Sequence, residues 1–214
     1  MYSLYNYNKH FTLHNAQISM GQKTSKLSNE EISSLRQETK FSTRELHQWY
    51  KGFKRDVNNG ELTKEEFIKI HKQFYPFGDP TEYATYAFEA FDLSNRGRID
   101  FKDFIKSLSV ASRGTVEEKL VWAFKMYDRD KDGNISYLDL LTVIGAVYKM
   151  VGTKVVRFED NETTPEVKAD KIWVGYHKKL EDRPHGRISQ KEFCNVANLS
   201  PAVIQAVNLY NDLI

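Results

Sequence analysis

Residues 128–139, DRDKDGNISYLD, carry oxygen-bearing side chains at the spacing of a cation-binding loop. Three aspartates stand at alternate positions, a glycine follows, and an isoleucine stands two residues later. Calcium and magnesium are hard cations that need several oxygen ligands, and this turn supplies them. The alternative, an exposed acidic turn, does not explain the glycine and the isoleucine. The predicted ligands, at loop positions 1, 3, 5, 7, 9 and 12, are Asp128, Asp130, Asp132, Asn134, Ser136 and Asp139.

The last ligand of this loop is an aspartate, whereas calcium loops of this kind usually end in a glutamate. Because Asp139 is one methylene shorter, we expect it to reach the cation with one oxygen rather than two. A lower coordination number suits Mg²⁺ and weakens Ca²⁺ binding. We therefore predict about one Ca²⁺ site, with Mg²⁺ as its competitor.

The same pattern occurs four times, in residues 55–66, 92–103, 128–139 and 181–192. Each window has a glycine at position 6, Leu or Ile at position 8 and an acid at position 12. The flanks repeat apolar residues at helical spacing, and the branched residue at position 8 favours a short strand. The predicted fold is therefore all-α: two EF-hand pairs, four helix–loop–helix units, with short β pairings between loops.

The second window, DLSNRGRIDFKD, is a weaker candidate for a metal site. Arg96 at position 5 offers no acceptor and puts a positive charge where the cation would sit. Weak binding and a purely structural turn both remain open. The oxygens that could bind a cation here belong to Asp92, Ser94, Asp100 and Asp103.

The first and fourth windows are predicted not to bind metal. Arg55 and Val57 occupy positions 1 and 3 of the first, and Arg183 and His185 occupy positions 3 and 5 of the fourth. The fourth unit also carries about four extra residues near HKKL. We expect them to add one turn to its entering helix, with Leu180 continuing the apolar face.

The predicted organisation follows from these windows. Residues 1–19 are a disordered extension or precede the true start, 20–27 form a candidate lipidation segment, 28–111 an N-terminal lobe, 115–199 a C-terminal lobe, and 200–214 an amphipathic helix.

Composition excludes several classes of function. The chain has 214 residues and a formal net charge of +2, with no basic stripe for nucleic acid. Its one cysteine, Cys194, allows no internal disulfide, which indicates a reducing compartment. We find no nucleophile–base order, phosphate loop or His/Cys cluster, so the sequence does not predict an enzyme.

Several motifs together resemble the neuronal calcium sensors, most closely the frequenin type: MGQKTSKLS, ELHQWYKGF, QFYPFGDP, LSVASRGTVEEKLVWAF and SPAVIQAVNLYNDLI. The resemblance implies a compact monomer with a hydrophobic groove that binds amphipathic helices of target proteins. By resemblance, the targets would be a phosphatidylinositol 4-kinase, a G-protein regulator or a channel. The positions that match the groove are Trp49, Phe53, Phe67, Ile70, Phe74, Phe101, Leu108 and Trp122. These side chains could equally be core between helices.

The resemblance implies a calcium sensor or adaptor; the alternative is a largely calcium-insensitive, Mg²⁺-bound scaffold or regulatory subunit of a kinase, phosphatase or channel. The family usually begins with an N-myristoylated glycine, and Gly21 lies in a matching M-G-x-x-x-[ST] motif. It can be acylated only if the chain starts at Met20. We expect a cytoplasmic protein, with reversible membrane association if it is acylated.

Overall fold

The computed structural model describes residues 26–152, 164–176 and 178–197. Three predicted features therefore lie wholly or mainly outside the described residues: the segment 1–19, the motif around Gly21, and the helix at 200–214. No helix within the described ranges is long and apolar enough to cross a membrane.

Within the described ranges, helices alternate with four very short strands. The helices are α1 Asn29–Glu38, α2 Thr43–Asp56, α3 Lys64–Phe74, α4 Thr81–Phe91, α5 Phe101–Arg113, α6 Val116–Tyr127, α7 Tyr137–Val151, α8 Pro165–Gly175 and α9 Gln190–Ala197. The strands are β1 Glu61–Leu62, β2 Ile99–Asp100, β3 Asn134–Ser136 and β4 Arg187–Ser189. Each of the four windows lies between two helices, which confirms the all-α prediction.

The four loops pair two by two through these strands. β1 and β2 run antiparallel with Leu62 opposite Ile99, and β3 and β4 run antiparallel with Ile135 opposite Ile188. All four side chains are fully or almost fully buried. Position 8 therefore joins loop one to loop two and loop three to loop four, as the pattern predicts. We call α2–α5 the N-terminal pair and α6–α9 the C-terminal pair; the lobe boundaries given above stay a prediction.

Loop positions 9 and 12 also start the helix that follows. A hydroxyl at position 9 and a carboxylate at position 12 accept hydrogen bonds from each other's backbone N–H, which closes a capping box. The pairs are Thr63 with Glu66, Ser136 with Asp139 and Ser189 with Glu192. Loop two differs, because Asp100 accepts from the backbone N of Asp103 at 2.9 Å while the Asp103 carboxylate turns into the loop.

Helix α4 connects the two pairs, since it packs on α3 and α5 and also on α6 and α7. Phe91 of α4 meets Trp122 of α6 edge to face at 5.7 Å between ring centroids. The segment between α3 and α4 lies on the end of α7, where the backbone N of Asp79 donates to the carbonyl of Lys149 at 2.8 Å. The entering helix of loop two is therefore in direct contact with both helices of loop three.

The expected extra helical turn before loop four is wrong. Helix α8 ends at Gly175, and the chain folds back so that the Trp173 indole N–H donates to the carbonyl of Lys179 at 3.0 Å. Leu180 lies in a short 3₁₀ turn and is 44% exposed, whereas Trp173 and Tyr176 are buried. The described residues of the insertion, 178–180, thus do not continue the helix.

Candidate metal centre

Loop three brings its three alternate aspartates together. Asp128, Asp130 and Asp132 each place a carboxylate oxygen within 4.8 Å of the others. The two oxygens of Asp128 accept from the backbone N of Asp132 and of Gly133, both at 3.0 Å. The loop therefore holds its first ligand in place with its own backbone, and it offers the hard oxygen donors that Ca²⁺ and Mg²⁺ prefer.

The electrostatics of this cluster favour a bound cation. Burial raises the pKa of Asp128, and the charges of Asp132 and Asp130 raise it further, while N–H donors from Gly133 and Asp132 oppose the change. Within the described residues, none of these aspartates forms an ion pair with a lysine or arginine. A divalent cation would relieve the repulsion among the three carboxylates.

Asp139, the last predicted ligand, is not one of the three converging carboxylates. Its Oδ2 accepts from the backbone N of Ser136 at 2.9 Å and from the hydroxyl of Ser136 at 2.5 Å. In the described part of the chain, Oδ1 makes no hydrogen bond. One oxygen is committed to the helix cap, so the geometry fits a ligand that offers a single oxygen to a cation.

Loop two has the same backbone frame as loop three, meaning the position-1 acid that accepts from the backbone N–H groups of positions 5 and 6, but an arginine side chain lies at its centre. Asp92 accepts from the backbone N of Arg96 at 3.0 Å and of Gly97 at 2.6 Å, as Asp128 does in loop three. The Arg96 guanidinium reaches Asp100 at 2.8 Å and Asp103 at 3.4 Å, and its Nε donates to the Ser94 hydroxyl at 2.7 Å. Three of the four residues predicted as a weak site thus contact the Arg96 side chain, and the fourth, Asp92, accepts from its backbone N–H.

The backbone separates these two loops from the others. Positions 4 and 6 have positive φ in loop two, at 51° for Asn95 and 70° for Gly97, and in loop three, at 61° for Lys131 and 84° for Gly133. Loop one instead has positive φ at positions 5 and 6. In loop four, Gly186 has no positive φ; an added Cβ there would lie 2.7 Å from the Trp173 ring. Only loops two and three share the metal-loop backbone.

The charged residues of loops one and four are occupied by local contacts. Arg55 forms a two-point pair with Asp56 at 2.7 and 2.8 Å. In loop four, Arg183 pairs with Asp170 of α8 at 3.1 Å. The N–H of Ser189 lowers the pKa of Glu192 to about 2, and Lys178, at 3.0 Å, adds to the shift. These contacts agree with the prediction that neither loop binds metal.

The residues predicted to line a groove are packed together as core. Phe53 and Phe101 meet edge to face at 5.6 Å between centroids. Ile70 is half-buried, and the side chain of Phe74 lies outside the described part. The buried members are Trp49, Phe53, Phe67, Phe101, Leu108 and Trp122. Both interpretations given above therefore remain compatible with this arrangement, and the groove stays a prediction.

Comparison with known proteins supports the four-loop interpretation. A family model described as EF hand matches residues 121–144, and one described as EF-hand domain pair matches residues 58–111. Neuronal calcium sensor 1 of Aplysia californica is 44% identical over 190 residues, which cover 89% of this chain and 97% of that protein. The chain belongs to the neuronal calcium sensor family. Neuronal calcium sensor 1 of Lymnaea stagnalis matches with the same 44% identity and coverage. Human recoverin is 37% identical over 172 residues, which cover 80% of this chain and 84% of recoverin.

Membership in the neuronal calcium sensors confirms the resemblance based on the motifs, including the frequenin type, because frequenin is another name for neuronal calcium sensor 1. The protein is a calcium-binding sensor, and sensors of this family bind protein partners. The relatives are calcium sensors, a class that is generally not enzymatic.

One residue of loop three was missed by the sequence analysis. Arg129, at position 2, reaches α4, where its guanidinium lies 3.8 Å from the centroid of the Tyr86 ring and 3.5 Å from Glu89. The contact spans 40 positions. No local pattern indicates it, because position 2 of such a loop has no ligand role.

Proposed function

We propose that this protein is a calcium-regulated adaptor whose metal switch is loop three. A divalent cation there would change the packing of α6 and α7, and an apolar groove in the N-terminal pair would then accept a helix of a target protein. The convergence of Asp128, Asp130 and Asp132 without an ion pair in the described part carries the proposal. In loops two and four, only position 1 of these three positions carries an acid, and the acids at position 12, Asp103 and Glu192, pair with Arg96 and Lys178.

The first route from loop three to the N-terminal pair is Arg129. This residue stands between the first two ligands, so a loop that tightens around a cation moves its backbone. Its side chain stacks on Tyr86 and pairs with Glu89, both on α4. Because α4 enters loop two and carries buried Phe88 and Phe91, a shift of α4 acts on the aromatic core.

The second route is the end of α7, the helix that leaves loop three. The Lys149 carbonyl of this helix accepts from the backbone N of Asp79, and the Lys149 side chain pairs with Glu82 at 2.7 Å. Both partners belong to the start of α4 or to the segment before it. Loop three and the helix that leaves it thus each contact α4, through Arg129 and through Lys149, which suits a unit that moves with the loop.

Opening the groove requires separation of packed aromatic side chains. Trp49 lies 6.0 Å from Phe104 and Phe53 lies 5.4 Å from Phe104 between ring centroids. A target helix with apolar residues at helical spacing would replace such contacts. By resemblance the targets would be a phosphatidylinositol 4-kinase, a G-protein regulator or a channel, bound by a monomer.

The central experiment compares two acids at position 1 of their loops. Asp128→Asn removes the negative charge of a loop-three ligand that two backbone N–H groups hold in place. Glu181→Gln changes an exposed acid of loop four, whose ion pair within the described residues is with Lys179 at 3.6 Å. Calorimetric titration with Ca²⁺, with and without millimolar Mg²⁺, should give about one site in the wild type and in Glu181→Gln. Asp128→Asn should lose it. Ca²⁺ binding that survives Asp128→Asn would refute the assignment.

A second candidate function is a scaffold that holds Mg²⁺ constantly. The single free oxygen of Asp139 favours it, because six-fold coordination suits Mg²⁺. The two functions differ in the response of an apolar fluorescent dye when Ca²⁺ is added over millimolar Mg²⁺. A rise in dye fluorescence supports the sensor. No rise, together with target binding that a chelator does not change, supports the scaffold.

Membrane association belongs to the proposal only for a chain that starts at Met20. Gly21 would then be the acylated residue, with Lys23 and Lys26 adding positive charge. One acyl chain gives only marginal, reversible membrane binding. Mass spectrometry of the native N-terminus is the test: a myristoylated Gly21 supports this part, and an intact Met1 with unmodified Gly21 contradicts it.

A further inference from the structure

We propose that Arg96 is a tethered cation that replaces the metal ion of loop two and holds this loop in the metal-loop conformation without calcium. The inference goes beyond the proposed switch, because it concerns a loop that needs no ion. It rests on the frame of loop two, on the contacts of the guanidinium and on the direction of the Asp103 side chain.

The frame of loop two is that of a metal loop although its position 5 does not fit a metal. Asp92 at position 1 accepts hydrogen bonds from two backbone N–H groups, as Asp128 does. Asn95 and Gly97 have the positive φ of their counterparts in loop three. A turn with neither a metal ion nor a substitute cation has no charge at its centre to stabilise these positive φ angles, and Gly186 of loop four does not have a positive φ.

The contacts of the Arg96 side chain cover three of the ligand positions that a central cation would use. Arg96 reaches carboxylates at positions 9 and 12, Asp100 and Asp103, and the hydroxyl at position 3. It also pairs with Glu61 of loop one at 3.0 Å, so one positive charge connects both loops of the pair. An arginine is always protonated and carries five donors, so this cation cannot dissociate or titrate away.

The position-12 acid of loop two points into its loop rather than capping the helix that follows. Its Asp103 carboxylate accepts from Ser94 at 2.7 Å and from Arg96, and its side chain is 11% exposed. The acids at position 12 of the other three loops instead accept from the backbone N at position 9. Asp103 therefore closes over the guanidinium as it would close over an ion.

The same loop provides a matched control. Arg98 is two residues away and carries the same charge. Among the described residues its one ion pair is with Glu61 at 3.7 Å, and 58% of its side chain is exposed. An ordinary exposed ion pair contributes little to stability. If Arg96 were only a surface charge, replacing Arg96 or Arg98 should have the same consequence.

The first test restores a ligand. In the full chain freed of metal, Arg96→Asp supplies a carboxylate at position 5, so calorimetric titration should show one more Ca²⁺ bound than in the wild type. Adding Asp92→Asn should abolish this extra ion and assign it to loop two. The proposal is overturned if folded Arg96→Asp binds no extra Ca²⁺, or if the wild type already loses an ion on Asp92→Asn. Failure of the loop-three switch is distinguishable, because the wild type would then bind none.

The second test removes the tethered cation without adding a ligand. Arg96→Ala should lower the midpoint of thermal unfolding in a chelator, and Arg98→Ala should leave the midpoint unchanged. Urea unfolding, followed by Trp49 fluorescence in a variant with Trp122 and Trp173 replaced by Phe, should report the same difference for the N-terminal pair. Equal midpoints for Arg96→Ala and Arg98→Ala would overturn the proposal.

Discussion

Gly78→Ala should break the contact between the segment before α4 and the end of α7. An added Cβ would lie 2.1 Å from the Met150 carbonyl oxygen and 2.5 Å from that of Lys149. Real Cβ contacts are essentially never under 3.0 Å, so something must shift. Both obstacles are backbone atoms of α7, which cannot rotate away as a side chain would.

The expected cost combines two terms. Overpacking of a close contact costs about 1–3 kcal/mol. Moving the segment apart also weakens the hydrogen bond from the Asp79 N–H to the Lys149 carbonyl, at 2.8 Å, which contributes about 0.5–1.5 kcal/mol. We therefore expect Gly78→Ala to lower the free energy of unfolding by about 2–4 kcal/mol.

The assay is urea unfolding followed by circular dichroism, with Gly145→Ala as the control. Gly145 lies within α7, and a Cβ there meets nothing within 4 Å. Because alanine is the better helix former, this change should raise stability by about 0.5–1 kcal/mol. The same glycine-to-alanine substitution should thus lower the free energy of unfolding at Gly78 and raise it at Gly145.

Two outcomes would refute the reasoning at different steps. Wild-type stability of Gly78→Ala would show that the close approach of this segment to α7 does not hold the molecule together. A loss of stability with unchanged Ca²⁺ affinity would leave the contact structural but remove it as a route for coupling. Coupling requires that a change at one site alter the binding free energy at the other.

Three further predictions concern loop three and the loss of folding stability at acid pH. Asp139→Glu should raise Ca²⁺ affinity and weaken Mg²⁺ competition in calorimetry, since the longer side chain can reach the cation with two oxygens. Unchanged Ca²⁺ affinity would exclude the short side chain of Asp139 as the cause of a reduced preference for Ca²⁺. Arg129→Gln loses the pair with Glu89 and the full charge over the Tyr86 ring, so the dye response to Ca²⁺ should weaken while the number of bound ions stays the same. The hydrogen bond from Arg113 lowers the pKa of Glu45 to about 2, so its stabilising effect is complete above about pH 4.5 and is lost as pH falls through about 2. Glu45→Gln keeps the capping box and should therefore reduce acid sensitivity between those pH values; an unchanged loss of stability at acid pH would contradict the pairing.

The sequence predicts the loops well because each position has a local meaning. A glycine at position 6 allows positive φ, and in loops two and three an acid at position 1 accepts the backbone N–H groups behind it. The branched residue at position 8 is enough to predict which loops pair, and the structure has that pairing. The glycine and the position-1 acid depend on neighbours within one turn, and the pairing follows from the repeat of the loop pattern along the chain, so no tertiary information is needed to find them.

What the sequence does not predict depends on partners far along the chain. Residues 178–180 do not continue helix α8, and the Trp173 indole N–H donates to the Lys179 carbonyl, a contact that no helical pattern indicates. The approach of Gly78 to α7 and the contact of Arg129 with α4 join segments that no local pattern relates. Burial of the groove residues is likewise a property of packing between helices, and an apolar periodicity cannot separate a core face from a binding face.

The acids of the four loops explain why this chain has four loops but one proposed switch. A metal loop without its ion holds repelling carboxylates, so it must bind an ion, hold an internal cation, or have a different backbone. Loop two holds Arg96, loop four has no positive φ at Gly186 and pairs Glu192 with Lys178, and loop one has no acid at its first position. Loop three has the backbone of a metal loop together with three converging carboxylates, and in the described part of the chain none of the three has a basic partner. Under the proposed switch, a response to calcium therefore enters through loop three and reaches the N-terminal pair through α4.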